Sequence, residues 1–120
     1  MKVIIDLIED IRESIANAEA YTLRAGLLRE DVNDTSKLIY AGEAPIERYW
    51  LDEASETLRF KVGSEQSVKI GELIPELLIL DMDRMMYRLK IDVNSEYQDM
   101  DVVGFGKSDE ERVYTLFIKL

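Results

Sequence analysis

Two spacings divide this chain, and they constrain its fold more than any other feature. Met1, Ile4, Ile8, Ile11, Ile15, Ala18, Thr22 and Ala25 follow one another at alternating steps of three and four. That spacing keeps them on one stripe of a helix. Lys2, Asp6, Glu9, Glu13 and Asn17 fall on the opposite side, and Leu7 widens the apolar stripe. The expected element is one long amphipathic helix over residues 1 to 25, ended or strained at Gly26. From residue 37 the period becomes two. Leu58, Phe60 and Val62 alternate with Arg59 and Lys61, and Tyr114, Leu116, Ile118 and Leu120 share one side of a final segment. Period two is the mark of a strand with one buried face.

The segments between follow from turn chemistry. "DVNDTS" at 31–36 is a loop, "KLIYAG" a short strand, and "APIERYWLDEASETLRFKV" two strands around "DEAS". "VKIGELIPELLIL" carries Ile70, Leu73, Ile74, Leu77, Leu78 and Met82 at helical spacing, and Pro75 argues against a central strand. A short helix over 70–81 is expected. Met85, Tyr87, Leu89, Ile91 and Val93 then alternate as a strand, and "MDVVGFG" and "RVYTLFIKL" supply two more around "KSDEE". The order reads αβββαβββ. It predicts a single α+β domain over residues 1–120, with a long N-terminal helix and a second short helix packed on a mainly antiparallel sheet. The two halves share this order without an evident residue-level repeat.

Composition removes whole classes of chemistry. There is no cysteine, so disulfides, thiolate metal sites and thiol nucleophiles are excluded. There is no histidine, the usual general base near neutral pH and the commonest transition-metal ligand. The net charge of −10 disfavours direct contact with nucleic acid or an anionic membrane. The N-terminal run is broken by Asp6, Glu9 and Asp10, unlike a secretory signal, and no apolar run is long enough to span a membrane. A cytoplasmic location is expected.

Several motifs resemble catalytic or ligand sites and fail on inspection. "LLILDMDRMM" contains Asp81 and Asp83 as a D-x-D pair, similar to the nucleophile motif of haloacid-dehalogenase-type phosphatases. Arg84 and Met85 stand where that motif has Gly and Thr, and the chain left after it is too short for a doubly wound fold. A second pair, Asp99 and Asp101, is the other candidate for a divalent cation. If the strands at 85–93 and 100–106 pair, the two pairs lie at opposite strand ends and do not converge. "GFGKS" lacks the first glycine of a P-loop and precedes a strand rather than a helix. "DVNDTS" has neither the glycine nor the glutamate of a calcium loop. No catalytic residue, cofactor or metal is expected.

Small size, acidity and helix-then-sheet order resemble the dimeric chaperones of bacterial type III secretion. That resemblance implies partner binding and assigns no residues, and the chain departs from the pattern by ending in a strand. The expected function is a small, acidic, non-catalytic intracellular protein-binding module: an adaptor, regulator or chaperone-like protein. Two alternatives are a carboxylate-based, divalent-metal-dependent enzyme and an acidic inhibitor that mimics nucleic acid. Of Tyr49 and Trp50, adjacent in a strand, one faces the core and one faces out. A 25-residue helix would run roughly 37 Å, longer than short strands can cover. Leu7, Leu27 and Leu28 would then need another cover. They are the expected partner-binding residues together with Trp50, and a homodimer is the expected assembly.

Overall fold

The computed structural model describes all 120 residues. The elements are α1 (Ile4–Ser14), a 3-10 turn (Ala18–Ala20), β1 (Thr22–Glu30), β2 (Leu38–Asp52), β3 (Thr57–Val62), α2 (Ile70–Leu78), α3 (Met82–Met85), β4 (Arg88–Asp92), β5 (Met100–Ser108) and β6 (Val113–Lys119). The six strands close into a barrel in sequence order. The junctions β3–β4 and β6–β1 are parallel, and the other four are antiparallel. This corrects the expectation of helices lying on an open, mainly antiparallel sheet.

The missing element was β1. The helical stripe continues in number through Ala18, Thr22 and Ala25, yet α1 stops at Ser14, and Ile15 is already extended at φ −132° and ψ 121°. In β1, Leu23 and Ala25 point into the core, while Gly26 lies beneath the Phe117 ring on the outer wall. Thr and Gly are poor helix formers, and the parallel seat beside β6 decides the conformation. The matching element order αβββαβββ hides a second error. "KLIYAG" and "APIERYW" are one strand, β2, which pairs with β1 through Leu38–Pro45 and with β3 through Ile46–Asp52. Pro45 and a bulge beside Ile46 stand where the strand changes partner. Of the strand expected at 85–93, Met85 ends the one-turn α3 and Arg88–Asp92 form β4.

The halves repeat. Val3 bridges Arg88, and Lys69 bridges Thr22, so equivalent residues stand 66 positions apart. The Ile4 N–H donates to the Tyr87 carbonyl (3.0 Å) and the Ile70 N–H to the Tyr21 carbonyl (2.9 Å). Leu89 N–H donates to Lys2, and Leu23 N–H to Val68, at the same shift. In the second and third strands of each half the shift is 56. Bulges fall at Ile46/Arg48 and Val102/Gly104, and the turns place Glu56 and Arg112 at φ 52° and 56°. The hydrogen-bond pattern is thus two-fold symmetric. The first half differs mainly by a β1–β2 hairpin ten residues longer than its β4–β5 counterpart.

Strands β1, β3, β4 and β6 run the same way. Helix α1 begins beside the start of β4 and leads to β1, and α2 begins beside the start of β1 and leads through α3 to β4. Both helices therefore cross the same barrel end. Ile4, Leu7, Ile8 and Ile11 of α1 and Ile70, Leu73 and Leu77 of α2 are buried there against the strand core. Asp6 caps α1 by accepting from the Val3 N–H at 2.9 Å.

Candidate functional site

Three of the four carboxylates of the two D-M-D pairs are engaged by the protein's own cations. Asp81 precedes α3, accepts the Arg84 N–H at 2.9 Å and pairs with the Arg84 guanidinium at 2.6 Å. The same guanidinium reaches Glu53 at 2.8 Å, and this contact holds the Glu53 carboxyl below its ordinary range. Asp83 is exposed. At the far end of β4, Asp99 pairs with Arg59 (2.8 Å) and Lys90 (3.2 Å), and Asp101 pairs with Lys90 (3.4 Å). Arg59 also meets Asp52 (3.0 Å) and Asp92 (3.7 Å). Burial raises the Asp99 carboxyl, but the Arg59 and Lys90 contacts outweigh it and hold the group below its ordinary range. No three carboxylates gather in a way that could hold a metal ion.

The expected partner-binding residues scatter. Leu7 is buried on the core face of α1, because that helix is short and lies wholly over the barrel end. It is unavailable to a partner, and no overhanging helix exists to need a cover. Leu27 packs against the core, and Leu28 is half-buried on the outer wall. Trp50 is exposed on the outer wall with the Arg48 guanidinium 5.2 Å from its ring, and Tyr49 is its inward-packing neighbour.

Beside Trp50 the surface changes character. A notch of about 180 Å³ is lined by Tyr49, Trp50, Leu51, Leu58, Leu77 and Leu80, with Glu76 at its edge. The Tyr49 hydroxyl donates to Glu76 at 2.6 Å. Burial, then Glu76, pushes that phenol well above its ordinary range, so it stays protonated and is no nucleophile. The chain running away from the notch exposes Leu78, Ile79, Met82 and Met86, with Ile79 at 84% and Met82 at 73%. Glu76, Asp81 and Asp83 are interspersed along this ridge, and Glu53 and Glu56 approach from the β2–β3 turn. Sequence reasoning placed Leu78 and Met82 on the buried helical stripe. The available signal was the unbroken run Leu77–Leu80, more apolar residues than one helical face can bury.

The barrel wall differs between the halves. Arg48, Trp50, Arg59, Lys61, Lys90 and Asp92 make one outer wall charged. Their equivalents Gly104, Gly106, Thr115, Phe117, Arg24 and Gly26 make the other smooth. Comparison with protein-family models, with curated proteins and with solved structures returned no match. No helix is long and apolar enough to cross a membrane.

Proposed function

We propose that this protein is a non-catalytic protein-binding module that takes a basic, amphipathic segment of a partner along the α2–α3 ridge. The carrying observation is the exposure of Leu78, Ile79, Met82 and Met86 in one short stretch beside an apolar notch. Contiguous exposed apolar surface marks interaction sites. Methionine side chains adapt to varied apolar partners. Glu56, Glu76 and Asp83 on the rim, beside Glu53 and Asp81 that share Arg84, and the net charge of −10 select and steer a cationic segment. The lack of cysteine suits a reducing compartment such as the cytoplasm.

The test uses a fluorescent synthetic helix of leucine and lysine with one apolar face, titrated with the full chain. Saturable binding is expected, weakened by added salt. Ile79→Glu and Met82→Glu should each weaken it by about tenfold, or about 1.4 kcal/mol, without lowering the melting temperature. Equal binding by wild type and both variants, or no binding at all, overturns the assignment.

A further inference from the structure

The ten residues that lengthen the first half all enter the β1–β2 hairpin, and they leave an edge that the second half lacks. In both halves the middle strand changes partner along its length, so Ile46–Asp52 of β2 pairs only with β3 and Val102–Ser108 of β5 only with β6. β5 gives only Met100 and Asp101 to β4 before β6 takes its next residues. β2 instead pairs with β1 through Leu38–Pro45, while β3 begins only at Ile46. The side of Leu38–Ala44 away from β1 has no partner strand.

The direction of the free groups follows from the hydrogen bonds around them. Leu28, opposite Tyr40, gives its carbonyl to the Leu120 N–H at 2.7 Å, toward β6. In an antiparallel pair both residues of such a position turn their N–H and C=O away from each other. Tyr40 therefore aims both groups at the open edge, and so does Leu38 two residues earlier. Ile39, between them, turns its groups to Arg29 on β1. The side chains are largely open as well, although the Tyr40 hydroxyl donates to Glu43 at 2.7 Å and its ring meets Phe117 edge-on. Leu38, Ile39 and Tyr40 are all exposed, Tyr40 at 54%. Natural edge strands are blunted by central charges, prolines or bulges. Here Lys37, Glu43 and Pro45 stand at the ends, and the bulge at Ala41, with Gly42 at φ 135°, limits the regular open edge to Leu38–Tyr40.

We propose that this edge is a dimer contact, in which β2 of one chain pairs antiparallel with β2 of a second copy about a two-fold axis through Ile39. Leu38 then faces Tyr40 of the other copy twice, and the four outward N–H groups and carbonyls of each axis-related pair are satisfied together. Each Leu38–Tyr40 contact is an aliphatic–aromatic cross-strand pair. Antiparallel pairing also lays the Lys37 end of each strand toward the Glu43 end of the other, whereas parallel pairing sets like charges together. The two copies carry net charges of −10 each, so screening by salt strengthens the dimer. That is opposite to the salt response of the basic segment on the α2–α3 ridge, a separate surface on which this contact does not depend.

The full chain is measured by light scattering coupled to gel filtration, from micromolar to about millimolar protein, at low and moderate salt. The expected mass at the upper end is twice 13.9 kDa. Leu38→Pro removes an outward N–H and the leucine side chain, and Tyr40→Lys places a charge on the edge. Each should weaken dimerisation by about tenfold or more, Leu38→Pro at unchanged melting temperature and Tyr40→Lys with some loss, because it also removes the Tyr40 hydrogen bond to Glu43 and the contact with the Phe117 ring. Neither should alter binding of the leucine–lysine helix. Because the chain has no cysteine, Ile39→Cys gives a direct positional test. Cross-strand Cα atoms at a non-hydrogen-bonded pair lie about 4.5 Å apart, within disulfide range. That variant should oxidise to a covalent dimer, while Val32→Cys, at the exposed hairpin tip, should not. A monomer throughout, a dimer indifferent to Leu38→Pro and Tyr40→Lys, or equal cross-linking at 39 and 32 overturns the contact.

Discussion

The hydroxyl of Tyr114, buried in β6, donates to the carboxylate of Asp10 on α1. It ties the last strand to the first helix across almost the whole chain. A hydrogen bond to a charged acceptor contributes about 1.5–3 kcal/mol net. Tyr114→Phe should therefore destabilise the fold by about that amount in urea unfolding. Tyr114→Ala, which also empties the core, should cost about 3–5 kcal/mol. A Phe variant as stable as wild type would show that water replaces the bond.

Alkaline pH should unfold this protein earlier than acid-stable ionic contacts would suggest. Burial, then Asp10, raises the Tyr114 phenol. Burial, then Glu43, raises Tyr40 to about 12, and Tyr21, Tyr49 and Tyr87 also shift upward. Below about pH 10 these phenols are protonated in both states, and their contribution is fully present. Above it the unfolded chain releases protons that the folded chain retains, so stability falls as pH rises from about 10 toward the folded values. On the acid side, Asp34, Asp52, Glu53, Asp99 and Asp109 are lowered, so their contribution is present above about pH 4 and fades below it. Urea midpoints measured from pH 3 to 11 should trace a plateau with two falling edges. A flat response between pH 9 and 11 would contradict the tyrosine assignments.

The glycines of the smooth wall are unequal. A Cβ at Gly26 would meet the Phe117 ring at 2.5 Å, whereas one at Gly104 meets nothing within 4 Å. Gly26→Ala should cost about 1–3 kcal/mol by overpacking, and Gly104→Ala about 0.5 kcal/mol or less. Combining Gly26→Ala with Phe117→Ala should recover part of the loss, because the two residues share one contact. Additive losses in that double variant would place the strain elsewhere.

How much of this was legible in sequence depends on which interactions decide each segment. The alternation in β3 and β6 is local, and both strands were readable. So were the start of α1 and the helical face of α2. Ile11 is buried and Glu13 exposed, as the first stripe requires, so Ile11→Ala should cost about 2–5 kcal/mol and Glu13→Ala little. The conformation of β1 is set by its seats against β2 and β6, far along the chain, and its residues also satisfy helical spacing. Closure of the ring depends on that strand, so missing it turned a barrel into an open sheet. The repeat was hidden for another reason. Tyr21 and Tyr87, or Leu23 and Leu89, match at a shift of 66, while Ile46 and Val102 match at 56. No single shift aligns both, and the core keeps apolar character more than identity. The exposed ridge at Leu78–Met86 was misread because periodicity says which residues share a face, without saying whether anything covers it.

Arg59 is the cation on which Asp52, Asp92 and Asp99 converge from three strands or their flanking loops. Its side chain is only partly exposed, so its charge is screened less than that of a free surface arginine. Burial lowers its pKa, but the carboxylate contacts outweigh this and hold it charged. Arg59→Gln leaves three carboxylates facing one another with only Lys90 near Asp99. Stability should drop by about 1–3 kcal/mol at low ionic strength and recover in part near 1 M salt, where the screening length is about 3 Å. Melting curves of wild type and Arg59→Gln at low and high salt check this. If the variant is insensitive to salt, Arg59 holds the strands by packing its stem and not by neutralising this acidic corner.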